Sequence, residues 1–113
     1  MLTIKEKDMP FIQVRPGLKR KIIHTDTLMT VINDFTDGPW DEPAPPHSHP
    51  HEQTGYLAEG EVMFYCEGEP EQHLLKGDMF CVAPNKKHSI KCLTSVVRIV
   101  DSFTPIRKEF LSS

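Results

Sequence analysis

The chain has 113 residues, and its 13 basic and 16 acidic side chains give a formal net charge of −3. This length suits a single domain, residues 1–113, with one hydrophobic core. The mild acidity without a long basic run argues against nucleic acid as a partner, and the lack of an apolar stretch of about 20 residues argues against a membrane-spanning segment.

The N-terminal part of the chain predicts a cytoplasmic location and the first strands. The opening sequence MLTIKEKDMPF lacks the apolar core of a signal peptide. Short segments rich in Val, Ile, Phe and Thr then predict strands at 11–15, 19–24 and 27–35. The basic residues among them are expected to lie along a solvated strand edge: Arg15, Lys19, Arg20 and Lys21.

The rest of the chain continues as short strands separated by turns. Strands are predicted within 55–68, 72–84, 88–93 and 95–103, with turns at 58–61, 67–70 and 76–78. Hairpins so closely spaced indicate an all-β barrel or sandwich with Greek-key or jelly-roll connections. The proline-rich segment 37–46 is expected to wrap the mouth of the barrel, and 104–113 to carry a short C-terminal helical turn. The cysteines are predicted to be small core residues: Cys66, Cys81 and Cys92.

A histidine-rich stretch, PPHSHPHEQ, precedes the fourth predicted strand. Strand alternation would place His47, His49, His51 and Gln53 on one face, with the first two about 7 Å apart at their backbones. Buried imidazoles need a partner, and neutral imidazole is a common metal ligand. Metal binding is therefore predicted here. The alternative is that the histidines of a proline-rich loop lie on the surface.

These segments resemble the two sequence motifs of the cupin family. The pattern His47-x-His49-x3-Gln53-x6-Gly60 is similar to the first motif, and the interval from Gly77 to His88 is similar to the second. The resemblance implies a single cupin β-barrel, also called a double-stranded β-helix or jelly roll, with one divalent transition metal: Ni, Mn, Fe, Zn or Co. It also implies the metal ligands, which are His47, His49, Gln53 and His88.

The chain departs from the cupin motifs at two places. Gln53 replaces the usual glutamate ligand, which makes the ligand set neutral, and Glu52 lies one position early and out of phase. Asn85 occupies the position of a turn glycine, a mild change because asparagine tolerates the left-handed conformation. His51 is expected to be a non-ligand on or near the rim, and the alternatives are a fifth ligand or a hydrogen-bond donor to the ligands.

The last strand supplies candidates for catalysis. Alternation along SVVRIVDSF places Asp101 on the same face as three apolar residues, where a buried carboxylate beside a metal could act as general acid or base. The alternative is a carboxylate at a strand end that reaches solvent. The whole pattern, with its DSFTPIRKEFL tail, resembles small cupins of pectin and alginate breakdown that linearise 4,5-unsaturated uronates. That resemblance implies that Asp101, Phe103 and Arg107 line the substrate pocket.

Three functions are compatible with the sequence. The first is metal-dependent ring opening and tautomerisation of an unsaturated monouronate, a carboxylated sugar. The second is a metal-dependent cupin dioxygenase, and the third is a non-enzymatic ligand-binding or sensor cupin. The strands predicted at 11–15 and 19–24 would also supply a sheet edge through which the protein is expected to form a homodimer.

Overall fold

The computed structural model describes residues 3–111 of the chain. Nearly all of its regular structure is β, as predicted: β1 Ile12–Arg15, β2 Leu18–His24, β3 Met29–Phe35, β4 Glu52–Glu59, β5 Val62–Cys66, β6 Gln72–Leu74, β7 Met79–Val82, β8 His88–Cys92 and β9 Val97–Thr104. Two single 3₁₀ turns flank the strands, Glu6–Asp8 and Lys108–Phe110, and the second is the expected C-terminal helical turn. No helix within residues 3–111 is long and apolar enough to cross a membrane.

The strands form two antiparallel sheets. The larger has the order β1-β2-β3-β9-β4-β7, and the smaller has the order β6-β5-β8. The non-sequential neighbours β3, β9 and β4 show that distant parts of the chain pair in the centre of the larger sheet. This is the cupin barrel with jelly-roll connections that the sequence predicted.

The proline-rich segment follows the outer edge of β8. The amide N–H groups of Trp40, Ala44 and His47 each donate to a carbonyl of this strand, at 2.9, 2.9 and 3.1 Å. The three acceptors are the carbonyls of Cys92, Ile90 and His88. The segment therefore covers the open edge of the smaller sheet and delivers the chain to the histidine-rich stretch at the cavity between the sheets.

Tight turns connect the strands at the predicted places. Gly60 and Gly77 have φ values of +83° and +99°, which lie in the left-handed region that favours glycine. Asn85 has φ of 66° and is the single non-glycine residue with positive φ in the described chain, residues 3–111. The prediction that asparagine accommodates this turn of the second motif is therefore confirmed.

Two clusters of apolar side chains form the core. One contains Leu57, Val62, Cys92, Val97 and Ile99, and the other contains Met29, Val31 and Phe103. Gly55 lets the ring of Phe80 lie against β4, where any added Cβ would overlap that ring. The prediction that all three cysteines are core residues is wrong for Cys81, which is exposed because it points to the outer face of the edge strand β7.

Candidate active site

A cavity of about 260 Å³ lies between the two sheets. Residues of both sheets, of the proline-rich segment and of the C-terminal 3₁₀ turn line it. Aromatic side chains from both core clusters form much of its wall, and polar residues lie among them: Arg15, Arg20, Asn33, His47, Gln53, His88, Ser89, Asp101 and Arg107. A concave, mostly apolar space with a few convergent polar groups is typical of a small-molecule site.

Three histidines converge beside this cavity. The candidate ligand nitrogens of His47, His49 and His88 all lie within 4.8 Å of one another. His47 and His88 form an isolated antiparallel bridge, with each amide N–H donating to the other carbonyl at 3.1 and 2.9 Å. The carbonyl of His49 accepts from the N–H of Asn85 at 2.8 Å. Backbone contacts to the second motif therefore position the histidines of the first.

The histidine row does not lie on a regular strand, although the buried His49, the half-buried His51 and the buried Gln53 still alternate with exposed residues, as predicted. The strand β4 begins only at Glu52, so His47, His49 and His51 lie in an irregular extended segment before it. Pro46 and Pro50 lack the amide N–H that a continuous ladder needs, which explains why the strand does not extend further back. The side chain of Gln53 lies within β4 and is buried.

Hydrogen bonds orient two of the imidazoles. Nδ1 of His49 lies 3.1 Å from the carbonyl oxygen of His51, and Nδ1 of His88 lies 2.9 Å from that of Lys86. A carbonyl oxygen only accepts hydrogen bonds, so Nδ1 must carry the proton in each of these rings. In the neutral form of such a ring, Nε2 is unprotonated. The lone pair of each ring is then on Nε2, and Nε2 of His88 is buried without a hydrogen-bond partner.

Gln53 completes a donor set that suits a metal ion. Its Nε2 donates to Oδ1 of Asp101 at 3.0 Å, which turns its Oε1 toward Nε2 of His49, also at 3.0 Å. Both nitrogens of His49 thus face oxygen atoms that can only accept a hydrogen bond. A neutral imidazole has only one N–H to donate, so the contact between Nε2 of His49 and Oε1 of Gln53 has no hydrogen. A cation near Nε2 of His49, Oε1 of Gln53 and Nε2 of His88 would use all three lone pairs, so these residues fit a metal.

The histidines are held in the neutral form that metal binding requires. Burial is the largest cause that lowers the pKa values of His49 and His88, and it also lowers the pKa of His47 to about 4. The neighbouring charge of His88 and that of Arg107 lower the pKa of His47 further. All three imidazoles are therefore available as ligands near pH 7.

Asp101 lies on β9, where it pairs with Gly55 and contacts the side chain of Gln53, and the residue is only 7% exposed. The alternation that places it inside the barrel with Val97, Ile99 and Phe103 is as predicted. Oδ1 accepts from Gln53, and Oδ2 accepts from Nδ2 of Asn33 at 2.9 Å. Burial raises the pKa of Asp101 to about 6, although these two hydrogen bonds and the charges of Arg20 and Arg107 act in the opposite direction.

Phe103 and Arg107 also line the cavity. The ring of Phe103 is 5.7 Å from the ring of His49, centroid to centroid, and Phe103 is buried. The guanidinium carbon of Arg107 lies 5.2 Å from the centre of the Phe103 ring and 4.1 Å from that of Phe110. Its Nε donates to Glu109 at 2.9 Å, which leaves the two terminal NH₂ groups for other partners.

His51 lies beside the three converging histidines but is not one of them. Its ring is 5.4 Å from the ring of His49 and 6.5 Å from that of Phe103. Its backbone carbonyl faces Nδ1 of His49, so the residue orients a candidate ligand through its main chain. That its side chain does not bind the metal stays a prediction.

Two cavity residues are missed by the sequence reasoning. Arg20 was expected on a solvated edge, and this is wrong. The strand β2 lies between β1 and β3, and strand alternation points the side chain of Arg20 into the cavity. Asn33 follows the buried residues Met29 and Val31 at strand spacing. The alternation of Leu18 and Ile22 around Arg20 is the signal that could have identified it.

The fold and the paired motifs define a cupin. Residues 36–103 match the family described as the Cupin domain, and the chain belongs to this family. Within it, the chain is 33% identical over 108 residues to the pectin degradation protein KdgF of Dickeya dadantii (strain 3937), with 94% of each chain covered.

Solved structures of similar length share this fold. KdgF from Halomonas sp. has a TM-score of 0.83 and 31% identity, and the match covers 94% of this chain and 96% of that one. An RmlC-like cupin from Shewanella frigidimarina NCIMB 400 has a TM-score of 0.86 and 29% identity, covering 97% and 96% of the two chains. The protein is therefore similar over nearly its whole length to KdgF proteins.

Proposed function

We propose that this protein is a metal-dependent enzyme that converts 4,5-unsaturated monouronates to their linear keto form in pectin or alginate catabolism. The full-length similarity to a pectin degradation protein supports the pathway. The observation that carries the chemistry is the buried carboxylate of Asp101, held by two amides beside three converging histidines. The reaction is an isomerisation and needs neither an oxidant nor a reductant.

Four residues would hold the metal: His47, His49, Gln53 and His88. Their donor set of three imidazoles and one amide oxygen is neutral and suits one divalent transition metal, with Ni, Mn, Fe, Zn and Co all acceptable. When bound, the ion supplies Lewis acidity that polarises oxygen atoms of the substrate. The protein contributes the orientation of the ligands, through the hydrogen bonds at each Nδ1 described above.

Asp101 would transfer the proton that the isomerisation requires. Its pKa of about 6 makes it mostly ionised at pH 7 and close to the ideal strength for a general base. The carboxylate removes the proton of the anomeric hydroxyl, the C1–O5 bond breaks, and the bonding electrons move to O5 to form an enolate. The same carboxyl then delivers the proton to C4, and the enolate becomes the C5 ketone. One proton moves from O1 to C4, and the atoms balance.

Arg107 and Phe103 would bind and shape the substrate. The planar guanidinium of Arg107 can hold the C6 carboxylate by paired charge-assisted hydrogen bonds. Phe103 lies between this arginine and His49 and excludes water from the reacting atoms. Excluding water keeps the proton on Asp101 between its removal from O1 and its delivery to C4.

Ring opening can be followed directly. The unsaturated monouronate, prepared with a polysaccharide lyase, loses its ultraviolet absorbance when the C4–C5 double bond disappears. Purified protein should accelerate this loss and consume no dioxygen. A rate equal to that of the spontaneous reaction would contradict the proposed function, and stoichiometric oxygen consumption would favour a dioxygenase.

Self-association through the larger sheet is a separate part of the proposal. Strand β1 is at the edge of that sheet, and all four of its residues are exposed, including Ile12 at 58% and Val14 at 46%. An exposed apolar edge strand can pair with a second copy of itself. Sedimentation should give a homodimer for the native chain and a monomer for Val14→Lys.

The cytoplasmic location stays a prediction that cell fractionation would test.

A further inference from the structure

Arg20 is a charged residue of the cavity to which the proposed function gives no role. It lies on β2 between the inward-facing Leu18 and Ile22, and it shares the cavity with Asp101 and Arg107. The flanking Lys19 is exposed on the opposite face of the strand. Arg20 is therefore the basic residue of this strand that lines the cavity.

Two contacts hold the guanidinium of Arg20 in place. Its Nε donates to Oδ1 of Asn33 at 2.8 Å, and its central carbon lies 4.0 Å from the centre of the Phe110 ring. The contact of Phe110 with Arg107, at 4.1 Å, means that one aromatic ring supports both arginines. The two terminal NH₂ groups of Arg20 have no hydrogen-bond partner among residues 3–111.

Arg20 also makes no direct ion pair within residues 3–111. No carboxylate oxygen within residues 3–111 lies within 4.0 Å of a nitrogen of Arg20. Burial is the main cause that lowers the pKa of its guanidinium, the nearby charge of Arg107 adds to the effect, and the charge of Asp101 acts in the opposite direction. Arg107 has Glu109 as its ion-pair partner, whereas Arg20 has none in direct contact and is separated from Asp101 by the side chain of Asn33. An anionic ligand that contacts Arg20 would therefore offset the cost of burying its guanidinium.

The link through Asn33 connects this cation to the proton-transferring carboxylate. Asn33 accepts from Arg20 with Oδ1 and donates to Oδ2 of Asp101 with Nδ2, at 2.8 and 2.9 Å. In an unsaturated uronate, C4 is two bonds from the carboxylate carbon C6. The residue that protonates C4 must therefore lie close to the residue that binds the substrate carboxylate. Arg20 and Asp101 meet this condition because only the side-chain amide of Asn33 separates them.

We propose that Arg20 is a second carboxylate-binding residue, which together with Arg107 holds the acid group of the sugar and makes the site selective for uronates over neutral sugars. This inference rests on the proposed function for its substrate class. The terminal NH₂ groups of Arg20 supply the hydrogen bonds, and Asn33 is a positioning residue that orients them relative to Asp101. The site then recognises one carboxylate with two guanidinium groups.

The test compares Arg20→Gln with Lys19→Gln, which makes the same change in net charge on the outer face of the same strand. The expected result for Arg20→Gln is an increase in KM for the unsaturated monouronate on the order of 10- to 100-fold, because charge-assisted hydrogen bonds are lost. Lys19→Gln should leave KM unchanged. Metal content, measured by elemental analysis, should be the same in both variants.

Calorimetric binding of unreactive sugars separates binding from proton transfer. Metal-loaded native protein should bind galacturonate more tightly than galactose, and Arg20→Gln should lose most of that preference. If Arg20→Gln does not fold, Arg20→Lys retains the charge without the planar fork and should show a smaller loss of the same preference. The native protein would still prefer galacturonate to galactose if it did not catalyse ring opening. Failure of the proposed role of Arg20 can therefore be distinguished from failure of the proposed function. An unchanged KM and an unchanged galacturonate preference, with only kcat reduced, would overturn the proposal.

Discussion

Replacement of Asp101 by asparagine is expected to separate stability from activity. Raising the pKa of this carboxyl from 3.8 to about 6 corresponds to about 3 kcal/mol of unfavourable free energy for burying its ionised form. Because the folded pKa is the higher one, this cost is absent below pH 3.8, grows between pH 3.8 and 6, and is constant above pH 6. At pH 7 the native carboxylate therefore destabilises the metal-free fold.

Asp101→Asn removes this cost but replaces one of the two acceptor oxygens by a donor, which would face the NH₂ group of either Gln53 or Asn33. Leaving a buried amide donor without an acceptor costs about 1 to 3 kcal/mol, so the metal-free variant should be up to about 2 kcal/mol more stable at pH 7. Turnover should fall by about 10²- to 10⁴-fold, the usual contribution of general acid–base catalysis. Denaturant unfolding of chelator-treated protein and the ultraviolet assay of metal-loaded protein measure the two effects.

The matched control is Asp34→Asn on the neighbouring strand β3. Asp34 accepts two hydrogen bonds from Arg98, at 2.6 and 2.7 Å, outside the cavity. This variant should lose about 1 kcal/mol of stability and retain its turnover. The reasoning would be refuted if Asp101→Asn were less stable than the native protein, lost its metal, or kept turnover within tenfold.

Three further predictions concern the metal ligands and the core. Gln53→Glu should bind the metal at least tenfold more tightly in chelator competition, because the ligand set gains a negative charge. The same variant should lose turnover, because the carboxylate of Asp101 loses its amide donor. Unchanged metal affinity would argue against Gln53 as a ligand. His88→Ala should lose stoichiometric metal in elemental analysis, whereas the exposed His73→Ala should retain it. Gly55→Ala should lower the free energy of unfolding by about 1 to 3 kcal/mol, since its Cβ would overlap the ring of Phe80, and native-like stability would contradict that packing.

Local patterns in the sequence predicted most of the fold. The short strands, the turns at Gly60 and Gly77, and the inward face of β9 all follow from residue propensities and period-two alternation. The left-handed Asn85 follows from the tolerance of asparagine for positive φ. These features depend on a few adjacent residues, which explains why they can be read without tertiary information.

Features that depend on pairing between distant segments could not be predicted in the same way. The histidine-rich stretch lies in an extended segment attached to β8, so its geometry depends on the bridge between His47 and His88 rather than on its own alternation. The inward orientation of Arg20 follows from its alternation with Leu18 and Ile22, but that this face borders the cavity depends on the pairing of β2 with the distant chain within the larger sheet. The exposure of Cys81 likewise follows from the edge position of β7.

The most direct test of the account is the rate of loss of the C4–C5 double bond in a purified unsaturated monouronate. The same protein preparation is assayed after loading with a divalent transition metal and after removal of the metal by a chelator. We expect rapid loss of ultraviolet absorbance with the metal-loaded protein, little acceleration with the chelated protein, and recovery when metal is added back. Equal rates with and without metal, or no acceleration over the spontaneous reaction, would contradict it.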